Sequence, residues 1–225
     1  PTLGTYEVGG GVRSCVLDLM KYGQIYLNEG KTHDGKQIAP AHGLREMWNS
    51  PMYAIDRSTY YHLGLKVTPN YAGTGVTLVE HSGGQPGVSS NFGFVPEKGI
   101  TAAVLTNVDG VPAGAIWLAA VNTVLGLPLD TQRSVEVDCG ASPEELAKFA
   151  GFYECDEGGK VDLYMDGDIL KLRMEDLEFE VKASDHRTLF YDDMGQQRVL
   201  RFYFREEASK PWAVLAGSRM LRRKQ

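Results

Sequence analysis

The residues that could do chemistry concentrate at His81-Ser82-Gly83-Gly84. An imidazole and a hydroxyl side by side can bind a carboxylate or relay a proton, and two following glycines leave the backbone beside them without side chains. Alone the tetrapeptide is a weak signal, because glycines beside a strand usually mark a bulge or a close backbone approach. Ser89 and Ser90, next to Asn91 and Phe92, could contact a ligand, although a turn or capping role is the plainer reading. Asp56, Arg57 and His62 show no partnered spacing. The five histidines form neither HExxH nor HxH, and the three cysteines, Cys15, Cys139 and Cys155, form no CxxC. No metal site or cofactor is therefore expected, and an odd number of widely spaced cysteines argues against a disulfide framework.

At 225 residues, 43% hydrophobic and 23% charged, the chain has the balance of a folded globular protein with room for one large or two smaller domains. A net charge of -6 argues against a nucleic-acid partner, which would call for a basic face. The one basic cluster, Arg219, Arg222, Arg223 and Lys224, reads as a solvated strand end or tail. No targeting segment is readable. The opening Pro1-Thr2-Leu3-Gly4-Thr5-Tyr6 reads as an interior stretch, so an upstream half of the same protein is expected and the compartment is not legible.

The elements that must hold the tetrapeptide follow from periodicity. Behind Gly9-Gly10-Gly11, apolar residues from Leu17 to Leu27 predict a helix that Ser14 can cap and Gly30 can stop. A short helix over 40–49 is closed by Pro51. From Tyr60, alternation through Tyr61, Leu63, Leu65 and Val67 predicts a strand, and Val76 and Leu78 resume it after a turn at 70–75. The glycine-rich tetrapeptide itself is expected to be partly irregular. Two further strands meet at Glu97-Lys98-Gly99, and an apolar helix over 113–125 ends at Gly126 and Pro128.

Residues 128–141 read as a linker. Ser142-Pro143-Glu144-Glu145 is a strong helix start, in which Ser142 and Glu145 can cap each other's backbone. Beyond Gly151 come many short strands with turns such as Asp166-Gly167-Asp168 and Met194-Gly195-Gln196, the pattern of an antiparallel barrel or sandwich. Its aromatics, Phe152, Tyr153, Phe190, Tyr191, Phe202, Tyr203, Phe204 and Trp212, read as packed core rather than the wall of a ligand cavity. The expected fold class is α+β: an antiparallel sheet flanked by helices over 1–127, then a small barrel over 142–225.

Taken together, Gly9-Gly10-Gly11 with Ser14 and Asp18-Leu19, His81-Ser82-Gly83 with Pro86-Gly87, and Val104-Leu105-Thr106-Asn107 resemble the C-terminal half of the class C β-lactamase, D-alanyl-D-alanine carboxypeptidase and D-aminopeptidase superfamily. Residues 142–225, opening on Phe149-Ala150-Gly151-Phe152-Tyr153, resemble the lipocalin-like domain that follows the catalytic domain in some members. The resemblance implies that His81 and Ser82 line the cleft, that substrate backbone passes Gly83, and that the Gly84 amide donates to the oxyanion. It implies a small peptide or β-lactam-like substrate and an acyl-enzyme.

Such enzymes need a Ser-x-x-Lys, in which the lysine one helical turn on helps deprotonate the attacking serine. None of the serines has lysine three positions later: Ser14 is followed by Leu17, Ser82 by Gln85, Ser142 by Glu145, Ser184 by Arg187 and Ser218 by Leu221. Tyr26-Leu27-Asn28 has the spacing of the family's Tyr-x-Asn but lies downstream of the glycines that should follow it, so Tyr26 reads as core and Asn28 as a helix cap. The expectation is thus a piece of a serine hydrolase that is inactive alone. The alternative is a non-catalytic module binding a peptide, glycan or apolar ligand, and exposed strand edges would further allow self-association.

Overall fold

A computed structural model describes residues 10–174, 177–193, 195–217 and 219–224. Gly9 and Met194 lie outside the described residues. The fold is α+β and divides into two compact units, Pro1–Arg133 and Ser134–Gln225.

The first unit is an antiparallel meander of six strands in chain order: β1 (Tyr53–Ala54), β2 (Tyr60–Tyr61), β3 (Lys66–Tyr71), β4 (Val76–Gln85), β5 (Val88–Val95) and β6 (Ile100–Thr106). Successive residues of a strand face opposite ways, and Leu78 and Val79 of β4, both fully buried, therefore serve two cores. Leu78 joins Tyr71, Val76 and Val95 under Trp117, Leu118 and Val121 of helix α3 (Ala113–Leu125). Val79 joins Val67 and Phe94 against Tyr26 of helix α1 (Val16–Leu27), with Met47 and Trp48 of helix α2 (Ala41–Asn49) at the margin. Two glycines permit the close approach: Gly23 of α1 stands where a Cβ would strike Thr101, and at Gly93 of β5 a Cβ would come within 2.6 Å of the Trp117 ring.

Four local expectations are corrected. Helix α1 starts at Val16 with Cys15 as its N-cap, and the Ser14 hydroxyl donates to the Cys15 carbonyl instead of capping. The run from Tyr60 to Val67 is two strands, because Gly64 takes φ +76° and the His62 amide donates to the Leu65 carbonyl, folding the chain back. The glycine-rich tetrapeptide is regular strand throughout, since the ladder between β4 and β5 continues from Val79 opposite Phe94 to Gln85 opposite Val88. Ser89 and Ser90 are accordingly strand residues rather than turn residues.

The second unit begins with helix α4 (Pro143–Ala147), whose capping box is formed as read: Glu145 N donates to Ser142 Oγ and Ser142 N to Glu145 Oε2. Nine antiparallel strands follow: β7 (Gly151–Glu154), β8 (Lys160–Asp166), β9 (Ile169–Met174), β10 (Leu177–Glu180), β11 (Lys182–Asp185), β12 (Thr188–Asp193), β13 (Gln196–Tyr203), β14 (Ala213–Ala216) and β15 (Arg219–Arg223). Their order, β10-β9-β8-β7-β15-β14-β13-β12-β11, makes a nearly closed barrel-like sheet. Its interior is filled by Tyr153, Leu163, Leu170, Leu172, Leu189, Leu200, Phe202, Val214 and Leu221. Tyr153 is anchored by donating to the Phe149 carbonyl at 2.8 Å, and burial pushes its phenol up to about 12. The basic cluster lies on and just after β15: Arg219 pairs with Glu157 at 2.8 Å, Lys224 with Glu154 at 2.6 Å, and the Arg223 guanidinium lies 5.6 Å from the Tyr153 ring centroid.

Candidate active site

Strand β4 runs past its neighbour. The ladder between β3 and β4 ends with Lys66 opposite Glu80, while the ladder with β5 carries on to Gln85. Among the described residues, no strand pairs with the other edge of His81–Gln85. The turn joining β4 to β5 is Pro86-Gly87, with Gly87 at φ +84° as its second central residue, and the Gly87 amide donates to Asp109. At the same tip, Gly10 lies where a Cβ would come within 2.8 Å of Gln85 Nε2, so Gly10 approaches the end of β4.

Which backbone groups face the free edge follows from β5. The Ser89 amide donates to Thr106 Oγ1 at 3.0 Å and the Ser89 carbonyl accepts from the same hydroxyl at 2.9 Å, so both Ser89 backbone groups are turned toward β6. Gly84 stands opposite Ser89. In an antiparallel ladder such a pair exchanges no hydrogen bonds, so the Gly84 N–H and C=O point outward, and by alternation those of Ser82 do as well. The Ser82 carbonyl bears this out by accepting from His81 Nδ1 at 2.6 Å, while the inward-pointing Gly83 carbonyl accepts from Ser90 Oγ at 3.3 Å. Among the described residues, and its two chain neighbours aside, no atom lies within 4 Å of where a Cβ on Gly84 would be, whereas one on Gly83 would meet Ser90 Oγ at 2.6 Å.

The side chains divide by face. By alternation His81 belongs to the α1 face, yet its Nε2 lies 3.1 Å from the Oη of Tyr61, which register aligns with Lys66 and Glu80 of the α3 face, and the Tyr53 ring stacks on Tyr61 at 5.4 Å. Ser82 lies on the α3 face and accepts from Lys66 Nζ at 3.2 Å. Beneath Ser82, Glu80 is 4% exposed and accepts from Asn91 Nδ2 at 2.8 Å through one carboxylate oxygen and from Arg133 Nε at 2.5 Å through the other. Tyr61, Lys66, Glu80 and Arg133 were not anticipated, and counting the hairpin register back from His81 would have found only the first two. Tyr26 is core, as read: it stacks on Phe94 at 4.8 Å, and burial together with the Tyr22 hydroxyl pushes its phenol far up. Asp56 is partnered after all, accepting from the amides of Ser58 at 2.8 Å and Thr59 at 2.7 Å.

His62 is buried beside this wall, its Nδ1 has no hydrogen-bond partner among the described residues, and burial pushes its pKa below the ordinary histidine value. The unfolded chain then binds the proton more readily. Stability is complete above the ordinary value of about 6.5 and declines as the pH falls below it. Urea midpoints measured at about pH 7.5 and about pH 5 should differ less in His62→Phe than in the wild type, and an unchanged difference would remove His62 from the account.

Across residues 2–124 the sequence matches the profile of the family described as Beta-lactamase. Among solved structures the chain is similar to an octameric penicillin-binding protein homologue from Pyrococcus abyssi, at 24% identity and TM-score 0.47, covering 92% of this chain and 46% of that one. It is also similar to SurE, at 18% identity and TM-score 0.61 over 94% of this chain and 48% of that one. For SurE with D-Leu the identity is again 18%, the TM-score 0.63, and the coverage 94% and 50%. The chain thus spans about half the length of the solved structures it matches. Among curated proteins none matches it. The profile match takes in the helices, the meander and the β4 edge, so the chain belongs to the beta-lactamase family of serine hydrolases.

Proposed function

We propose that this chain supplies one wall of the acyl-transfer site of a hydrolase that cleaves an amide or ester through an acyl-enzyme, with a D-amino-acid peptide or a β-lactam as substrate class. The observation that carries the reading is the β4 edge that no strand pairs among the described residues, with the Gly84 amide turned outward along it. An amide aimed at a developing oxyanion contributes about 3 to 4 kcal/mol of transition-state stabilisation. His81 and Ser82 flank it, able to bind a substrate carboxylate or relay a proton. Between the outward backbone groups of Ser82 and Gly84, Gly83 carries no side chain to obstruct a substrate passing along the edge, and Ser89 and Ser90 stand behind it on β5, Ser90 Oγ donating to the Gly83 carbonyl. SurE with D-Leu shares the fold, which suits a D-amino-acid substrate.

The attacking serine, with its lysine, belongs to residues other than these 225, since no Ser-x-x-Lys occurs among them. The chain alone is therefore expected to be silent. Incubation with a fluorophosphonate probe and with a chromogenic cephalosporin should give no labelling and no turnover. A labelled serine within residues 1–225 would mean that the chain holds its own nucleophile. The second unit is read as a lipocalin-like accessory barrel whose filled interior favours a structural part over an apolar-ligand carrier.

A further inference from the structure

We propose that Tyr61 is the positioning residue of His81, fixing both the orientation and the tautomer of its ring. His81 Nδ1 lies 2.6 Å from the Ser82 carbonyl oxygen, which can only accept, so Nδ1 carries the proton. In the neutral ring Nε2 then holds a lone pair, and the group 3.1 Å away is the Tyr61 phenol, which must donate its O–H to it. Two hydrogen bonds at opposite corners stop the ring from flipping and hold it edge-on to Tyr61, with the ring planes 75° apart.

Tyr61 is itself held. Its ring stacks on Tyr53, its register partner in β1, with centroids 5.4 Å apart and planes within 13°. It sits opposite Lys66 of β3, the residue at which the ladder with β4 ends. With its proton committed to His81, the Tyr61 oxygen keeps its lone pairs for a hydrogen-bond donor arriving along the free edge. The tautomer follows from geometry alone, whereas its use in turnover rests on the hydrolase reading above.

The test is two-bond ¹H–¹⁵N correlation NMR of the histidine rings in the full chain at about pH 8, where an ordinary imidazole is neutral. The His81→Gln variant identifies the His81 signals. The wild type should show His81 with a pyrrole-type Nδ1 and a pyridine-type Nε2. Tyr61→Phe, which removes one oxygen, should move the Nε2 resonance and admit the Nε2–H form that free imidazoles favour. Tyr53→Phe, which keeps the Tyr61 hydroxyl, should leave the wild-type pattern in place. A wild-type His81 in the Nε2–H form, His81 shifts unaltered by Tyr61→Phe, or the same change in Tyr53→Phe would each overturn the assignment. Because no substrate enters the measurement, failure here is distinct from failure of the hydrolase reading, which shows in turnover.

Discussion

Arg133→Met is expected to destabilise the first unit by about 3 to 5 kcal/mol, the usual consequence of leaving one member of a buried ion pair uncompensated. Glu80 is 4% exposed, and both Arg133 Nε and a terminal guanidinium nitrogen lie 2.5 Å from its Oε1. Without the guanidinium, the carboxylate keeps only the Asn91 amide among these contacts. Methionine fills much of the stem's volume, and so isolates the charge from the packing. Glu80→Gln combined with Arg133→Met should recover most of the loss, because an amide is far cheaper to bury than a lone charge. Urea titration followed by tryptophan fluorescence checks both variants, since the Arg133 guanidinium lies 5.8 Å from the Trp117 ring centroid. Equal losses in the single and double variants would mean that packing, not charge, holds this segment to the sheet.

The second large effect concerns catalysis. Gly84→Pro should lower kcat of the turnover-competent enzyme by about 10² to 10³-fold, the usual effect of losing one oxyanion donor. Proline removes the N–H and adds only its ring, whose Cβ would meet no atom within 4 Å among the described residues other than its chain neighbours. Because that N–H points away from β5, no ladder hydrogen bond should be lost, and proline is tolerated on strand edges for this reason. Far-UV circular dichroism and the urea midpoint of Gly84→Pro should therefore stay near those of the parent. Full activity in a folded Gly84→Pro would take the oxyanion role away from this amide.

Features set by neighbours in sequence were legible in the text of the chain. The capping box of α4 needs only Ser142 and Glu145, and the stop of α1 needs only the Asn28-Glu29-Gly30 turn, with Gly30 at φ +87°. The barrel followed from the run of short strands, but only some of its aromatics are core: Tyr153, Tyr191 and Phe202 pack inside among aliphatic residues, whereas Phe152 and Trp212 are exposed. What sequence misjudged was the glycine-rich run, because local propensity favours a loop there while the ladder to β5, anchored by the buried Phe94, extends the strand through it. Gly64 was missed for the opposite reason: alternation of Leu63, Leu65 and Val67 masked a two-way turn. At the site, His81 and Ser82 could be named from their types, but their partners could not. Tyr61 is 20 residues from His81, Lys66 is 16 from Ser82 and Arg133 is 53 from Glu80, and only strand register and the path after α3 bring them together.

The most direct test of the central claim is intact-protein mass spectrometry after brief exposure to a β-lactam or an activated D-amino-acyl ester. One sample is this chain, and the other is the chain continued upstream to include a Ser-x-x-Lys followed by a Tyr-x-Asn. The account predicts no adduct on residues 1–225 alone and a single acyl adduct on the upstream serine of the longer chain, reduced by Gly84→Pro. An adduct on the shorter chain, or a longer chain that carries both motifs and never acylates, would contradict it.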